Sequence, residues 1–155
     1  MKKIALALVA GFTIVTATSN ATGEPAKPYE PGLIEFMLTV QSHHAKLWLA
    51  GNARNWELAD YQVDELKELF EDIVKRIPLY KDVPVGKMIE SLTMAPIGEI
   101  ETAIKARDSK AFATAFDKLT TACNGCHAAA NRGFVVIQRP AASAFPNQSF
   151  APKRK

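Results

Sequence analysis

From Leu33 onward, apolar residues recur every three or four positions and almost nowhere every second position. That spacing suits helices with one buried face and denies a sheet its alternation. Leu33, Met37, Val40, His44, Leu47 and Gly51 form the first seam. Gly51-Asn52 reads as its stop, since glycine tolerates the left-handed backbone of a helix C-terminus. Asn55 then reads as the N-cap of a second helix, with Glu57 in its first turn. The apolar set of that helix is Leu58, Tyr61, Leu66, Leu69, Ile73 and Ile77, and Pro78 ends it. Val85, Met88, Ile89 and Leu92 make a third periodic piece, and Ile97, Ile100 and Ile104 continue it beyond Pro96. A proline there removes a hydrogen bond and crowds the preceding turn, so the third helix is expected to be kinked or split at Pro96. Asp108 or Ser109 can cap a fourth helix with the seam Phe112, Phe116, Leu119, Cys123, His127 and Ala130, closed by Gly133. Residues 134–155 carry three prolines and one short apolar run, Phe134 to Ile137, with no second strand to pair with. The expectation is an all-α antiparallel four-helix bundle over 32–133, followed by an irregular tail over 134–155.

The first residues read differently. Lys2 and Lys3 precede an apolar stretch from Ile4 to Val15, and Ser19 and Ala21 stand where a small-x-small cleavage site needs them. That order is a secretory signal peptide over 1–21. The stretch is shorter than the roughly 20 residues of a membrane-spanning helix. Residues 22–31, with Pro25, Pro28 and Pro31, read as an extended leader. Loss of Lys2 and Lys3 lowers an already small net charge of +3. Nothing in that balance asks for nucleic acid, and Lys153-Arg154-Lys155 reads as a solvated end. No later segment is apolar enough to anchor the processed chain in a membrane, so the expected location is the periplasm.

Cys123-Asn124-Gly125-Cys126-His127 carries the chemistry. C-x-x-C-H is the attachment signature of a c-type haem. On a helix, positions i, i+3 and i+4 share a face. Two thiols can therefore reach the two vinyl groups of one haem while the imidazole comes up beneath the iron. Three other uses of these residues fit less well. A thioredoxin-like pair belongs beside a βαβ unit, and the sequence offers none. A disulfide between cysteines three apart in a regular helix is poorly placed, and a zinc site usually needs four ligands. The cofactor expected is one covalently attached haem c, with Cys123, Cys126 and His127 as its attachment and ligand residues.

With the motif late in a fourth amphipathic helix, behind a signal peptide, the chain resembles the helix-bundle c-type cytochromes of the cytochrome c′ and cytochrome c-556 group. The resemblance covers Leu33 to Gly133 in architecture and Cys123, Cys126 and His127 in residues. Beyond the motif the family often has a basic residue three or four places after the histidine. Ala130 and Asn131 stand there, and Arg132 follows. The tail is also longer than the family usually carries. The resemblance implies that the first helix covers the second haem face, and it allows a homodimer through the first two helices.

The first helix offers Met37, His43 and His44 to that face. Met37 and His44 lie on one seam, seven residues and roughly 10.5 Å apart, so only one can reach a single iron. A histidine between Val40 and Leu47 is costly to bury without a partner, whereas a methionine is ordinary core filler. His44 is therefore the expected sixth ligand, with Met37 the alternative. A third arrangement makes His44 a satisfied core or rim histidine and leaves the iron five-coordinate. Trp48, Trp56 and Tyr61 read as packing residues. Lys46, Arg54, Lys118 and Arg132 read as a solvated face, within reach of haem propionates. The expected function is single-electron transfer between periplasmic donor and acceptor proteins, without enzymatic turnover. The alternative is a five-coordinate haem binding nitric oxide or carbon monoxide, and a peroxidase would need more polar groups on the distal side. If the signal peptide is cleaved as read, N-terminal sequencing of the periplasmic fraction should begin at Thr22. An intact Met1 on that protein would contradict it.

Overall fold

The computed structural model describes residues 27–153, so the signal-peptide reading lies outside the described residues. The chain divides into Met1–Glu30 and Pro31–Lys155. In the first unit only residues 27–30 are described, as exposed and non-helical. The second unit holds four helices: α1 (Leu33–Asn52), α2 (Trp56–Arg76), α3 (Val85–Ala106) and α4 (Ser109–Ala129). Each packs against its neighbour in sequence, as an antiparallel all-α bundle requires, while α1 and α4 meet more sparingly. Among the described residues no helix is long and apolar enough to cross a membrane.

The helix starts follow local chemistry. Glu35 turns back to accept the Gly32 N–H at 3.1 Å. The Asn55 side chain accepts from the Leu58 N–H at 3.3 Å. At α4 the capping residue is Asp108, whose carboxylate accepts from the N–H groups of Lys110 and Ala111 at 2.9 and 3.0 Å.

α1 stops at Asn52 and α2 at Arg76, just ahead of Pro78, as expected, but the residues that close the helices differ. Gly51 is helical, and the left-handed position falls on Arg54. Gly133 does not close α4 either: the helix stops at Ala129, and Asn131 takes the left-handed backbone with φ 57°. The Asn131 and Arg132 N–H groups then return to the carbonyls of Ala128 and His127 at 3.1 and 2.7 Å, a Schellman closure. Arg107 turns α3 into α4 in the same way, with φ 54°. Gly51 has a steric role instead, because a Cβ there would run into the ring of Phe112.

Two further expectations are corrected. Of the two outcomes expected at Pro96, the split does not occur: α3 runs unbroken from Val85 to Ala106. Ile89, Thr93, Ile97 and Ile100 form one buried stripe straight through the proline, and burying that stripe outweighs the lost bond. The carbonyl deprived of its partner belongs to exposed Leu92. In α2 the buried face is turned by one residue, so Tyr61 is half exposed and Gln62 takes the interior place. Gln62 tolerates this because its Oε1 pairs with His43 Nδ1 at 2.9 Å.

Aromatic rings gather where the end of α1 meets the start of α4. Phe112 and Phe116 are fully buried there. Trp48 lies 5.0 Å from the Phe116 ring, and Trp56 stands edge-on to Phe112 at 5.9 Å. Such pairs contribute roughly 0.5–1.5 kcal/mol each beyond their burial. Gly51→Ala should therefore destabilise the fold by roughly 2 kcal/mol in urea titrations, overpacking outweighing alanine's helix propensity. An unchanged or raised midpoint would show that Phe112 can move aside.

Candidate functional site

At the opposite end of α1 and α4 the packing changes character. Along α1, Val40, His44, Leu47 and Gly51 are buried, but Leu33 and Met37 are only half covered. Along α4, Phe112, Phe116 and Leu119 are buried, but Cys123, Cys126, His127 and Ala130 are half covered. Two apolar seams, each buried at one end, thus run into a shared opening. The opening is a cleft of about 210 Å³ with mostly apolar walls, and Met37, His44, Cys123, Cys126 and His127 all line it. Phe70, Tyr80 and Val85 close its back, and Arg132, Val135 and Ile137 of the tail border it.

Every residue expected to attach the cofactor or ligate the iron therefore faces one cavity, whereas His43 lies off it, paired with Gln62. Cys123 and Cys126 are unpaired by disulfide. Burial pushes the Cys123 thiol up to about 11, with Cys126 adding to the effect, and burial raises Cys126 as well. A redox dithiol shows the reverse, a thiol lowered toward neutrality. Among the described residues no three His, Cys, Asp or Glu side chains are grouped to hold a bare metal ion. A haem does not need such a group, since its own nitrogens hold the iron and the protein adds only axial ligands.

The two histidines on the cleft are fixed in different states. His127 Nδ1 lies 2.8 Å from the Val135 carbonyl oxygen. A carbonyl only accepts, so Nδ1 carries the proton, and in the neutral ring the Nε2 lone pair is left free. This is the outer-shell pattern that orients metal-binding imidazoles. His44 Nε2 lies 3.0 Å from Thr120 Oγ1, whose own hydrogen goes to the Phe116 carbonyl at 2.9 Å. Thr120 can then only accept from His44, which places the His44 proton on Nε2. The ring also packs on Phe116 at 4.4 Å, and desolvation by burial lowers its pKa from 6.5 to about 4.

Of the residues marked as auxiliary, Trp48 and Trp56 belong to the aromatic core, whereas Tyr61 is on the surface. Lys118 pairs with Glu99 at 2.6 Å, and Lys46 sits over the Phe145 ring at 4.8 Å. Only Arg132 of the basic set borders the cleft. Thr120, Asn124 and the Val135 carbonyl escaped notice in the sequence. Asn124 was visible only as a spacer inside the motif, and a backbone acceptor leaves no trace in side-chain identity. No protein-family model, curated protein or solved structure matches this chain.

The state of His44 has a measurable consequence. Above pH 6.5 the imidazole is neutral whether the chain is folded or not. Between 6.5 and about 4 the unfolded chain binds a proton that the folded one refuses, so stability falls as pH falls. The loss should approach about 3 kcal/mol across that window. It should be absent from His44→Phe when both proteins are titrated with urea at pH 7 and pH 4. Equal acid sensitivity in the two would contradict a neutral buried His44.

Proposed function

We propose that this chain is a monohaem c-type cytochrome of the helix-bundle kind, carrying single electrons between partner proteins outside the cytoplasm. The observation that supports it best is the joint one. A C-x-x-C-H set opens onto the same apolar cleft as two incompletely covered seams, and its histidine has Nδ1 tied and Nε2 free. The closed part of the cleft, about 210 Å³, is smaller than a haem, so the fit depends on the open side, where exposed Ile34, Leu38 and Val135 supply further apolar surface. Cys123 and Cys126 would hold the haem by thioether bonds and His127 would ligate the iron. When bound, the haem supplies a one-electron ferric–ferrous couple.

The chain's own part is to attach, shield and tune. Met37 and His44 both face the cleft from α1. His44 is neutral, packs at a tilt on Phe116 and has committed its Nε2–H to Thr120, so ligation through Nε2 would break that bond and only Nδ1, the nitrogen nearer the main chain, is left to it. Met37 has no such commitment to a proton donor or acceptor, being a thioether. We therefore assign Met37 as the sixth ligand and His44 as the polar group that joins α1 to α4 beside the site. A methionine ligand would raise the potential of the group it joins His127 in holding.

Acid–organic extraction should leave haem on the polypeptide, and replacing Cys123 and Cys126 together with alanine should release it. The ferric protein should be low-spin, with a sulfur-to-iron band at the red edge of the spectrum. Met37→Ala should turn it high-spin and let carbon monoxide bind the ferrous form rapidly, while His44→Phe should remain low-spin. The opposite behaviour of the two variants would return the ligand role to His44. A wild type already high-spin and quick to bind carbon monoxide would move the function to gas binding, and freely extractable haem would defeat the proposal.

A further inference from the structure

The tail after α4 is irregular, yet it is not loose. Arg139 forks onto the Asp117 carboxylate at 2.7 and 2.6 Å, donates to the Ala113 carbonyl at 3.1 Å, and lies 4.1 Å above the Trp48 ring. Farther on, Phe150 packs against the core, and Asn55 donates to the Ala151 carbonyl at 3.2 Å. The chain thus follows the seam between α1 and α4, the pair of neighbouring helices with the least direct contact.

Its nearest stretch is joined to the attachment motif by three bonds. The Val135 carbonyl accepts from His127 Nδ1. The Ile137 N–H donates to Asn124 Oδ1 at 2.8 Å, and the Ile137 carbonyl accepts from Asn124 Nδ2 at 2.9 Å. A side-chain amide here does what a neighbouring strand would do, satisfying both backbone groups of one residue. Asn124 occupies the first spacer position of C-x-x-C-H, so the motif itself grips the segment whose carbonyl orients its histidine.

We propose that Val135–Arg139 is a positioning strap for His127, clamped by Asn124 at Ile137 and by Arg139 at its far end; the proposal rests on the haem reading above. By holding the Nδ1 proton on a carbonyl, the strap fixes the plane of the imidazole and makes Nε2 the stronger donor. A stronger donor favours ferric over ferrous iron. Asn124 and Arg139 are positioning residues: they act through the strap and then through His127.

The test uses the purified haem-bearing protein, its Asn124→Leu variant and its Arg139→Ala variant, with Arg139 lying well outside the motif. Amide exchange at Ile137 should quicken in both. The midpoint potential should rise in both, by a roughly tenfold shift toward the ferrous form, which is about 59 mV for one electron. Thermal unfolding alone would move for a strap that merely stabilises the fold. A lowered melting temperature with unchanged potentials would therefore overturn the proposal. If a variant fails to load haem, the wild type still decides: the His127 Nδ1 proton should be visible by NMR and slow to exchange with solvent. Rapid exchange there would overturn the strap. A wild type without covalent haem would instead defeat the haem reading, which the extraction experiment detects by itself.

Discussion

The meeting of Phe112 with the bare backbone of Gly51 governs the shape of everything else. It draws the end of α1 onto the start of α4 at a distance that no side chain at position 51 would allow. Trp48, Trp56 and Phe116 complete an aromatic cluster around the contact. Two helices pinned closely at one end need not fill the space between them at the other. Met37 on α1 and Cys123 on α4 accordingly face each other's side of a cleft rather than a closed core. Tight packing and open cavity are two ends of one seam.

Much of this was legible from local chemistry. The starts of α1, α2 and α4 follow from Gly32 with Glu35, from Asn55 and from Asp108, because a cap and its first turn lie within a few residues. The C-x-x-C-H motif is local in the same way, and its helical spacing brings both thiols and the imidazole onto one cleft. What failed to show in the sequence depends on residues distant in the chain. The continuity of α3 through Pro96 depends on a stripe packed against other helices, and the burial of Gln62 instead of Tyr61 on a partner 19 positions away. Gly51 and Gly133 were assigned backbone freedom that they do not use. Arg54 and Asn131 take the left-handed positions, and the glycine at 51 answers to a ring from another helix.

The candidate site divides along the same line. Cys123, Cys126 and His127 needed only their order, whereas the state of His44 is set by Thr120, 76 positions away. A buried histidine with no visible partner looks like a ligand in waiting. In the fold Thr120 accepts its proton, Phe116 packs against its ring, and the side chain still lines the cleft. Burial raises the charging cost of an imidazole and a thiol alike, which keeps His44 and Cys123 neutral in the same low-dielectric wall.

The closure by Asn131 places the tail after the motif in chain order as well as in space. During synthesis from the N-terminus, both cysteines and His127 therefore exist before the residues that grip them. Until Ile137 arrives, Asn124 has no backbone to hold and the His127 ring has no carbonyl to fix it. Until then the cleft between α1 and α4 lacks Val135 and Ile137 from its border. Arg139 reaches Asp117 and Trp48 only afterwards. The order of residues along the chain thus sets the order in which these contacts become possible, the wall of the cleft first and its fastened border last.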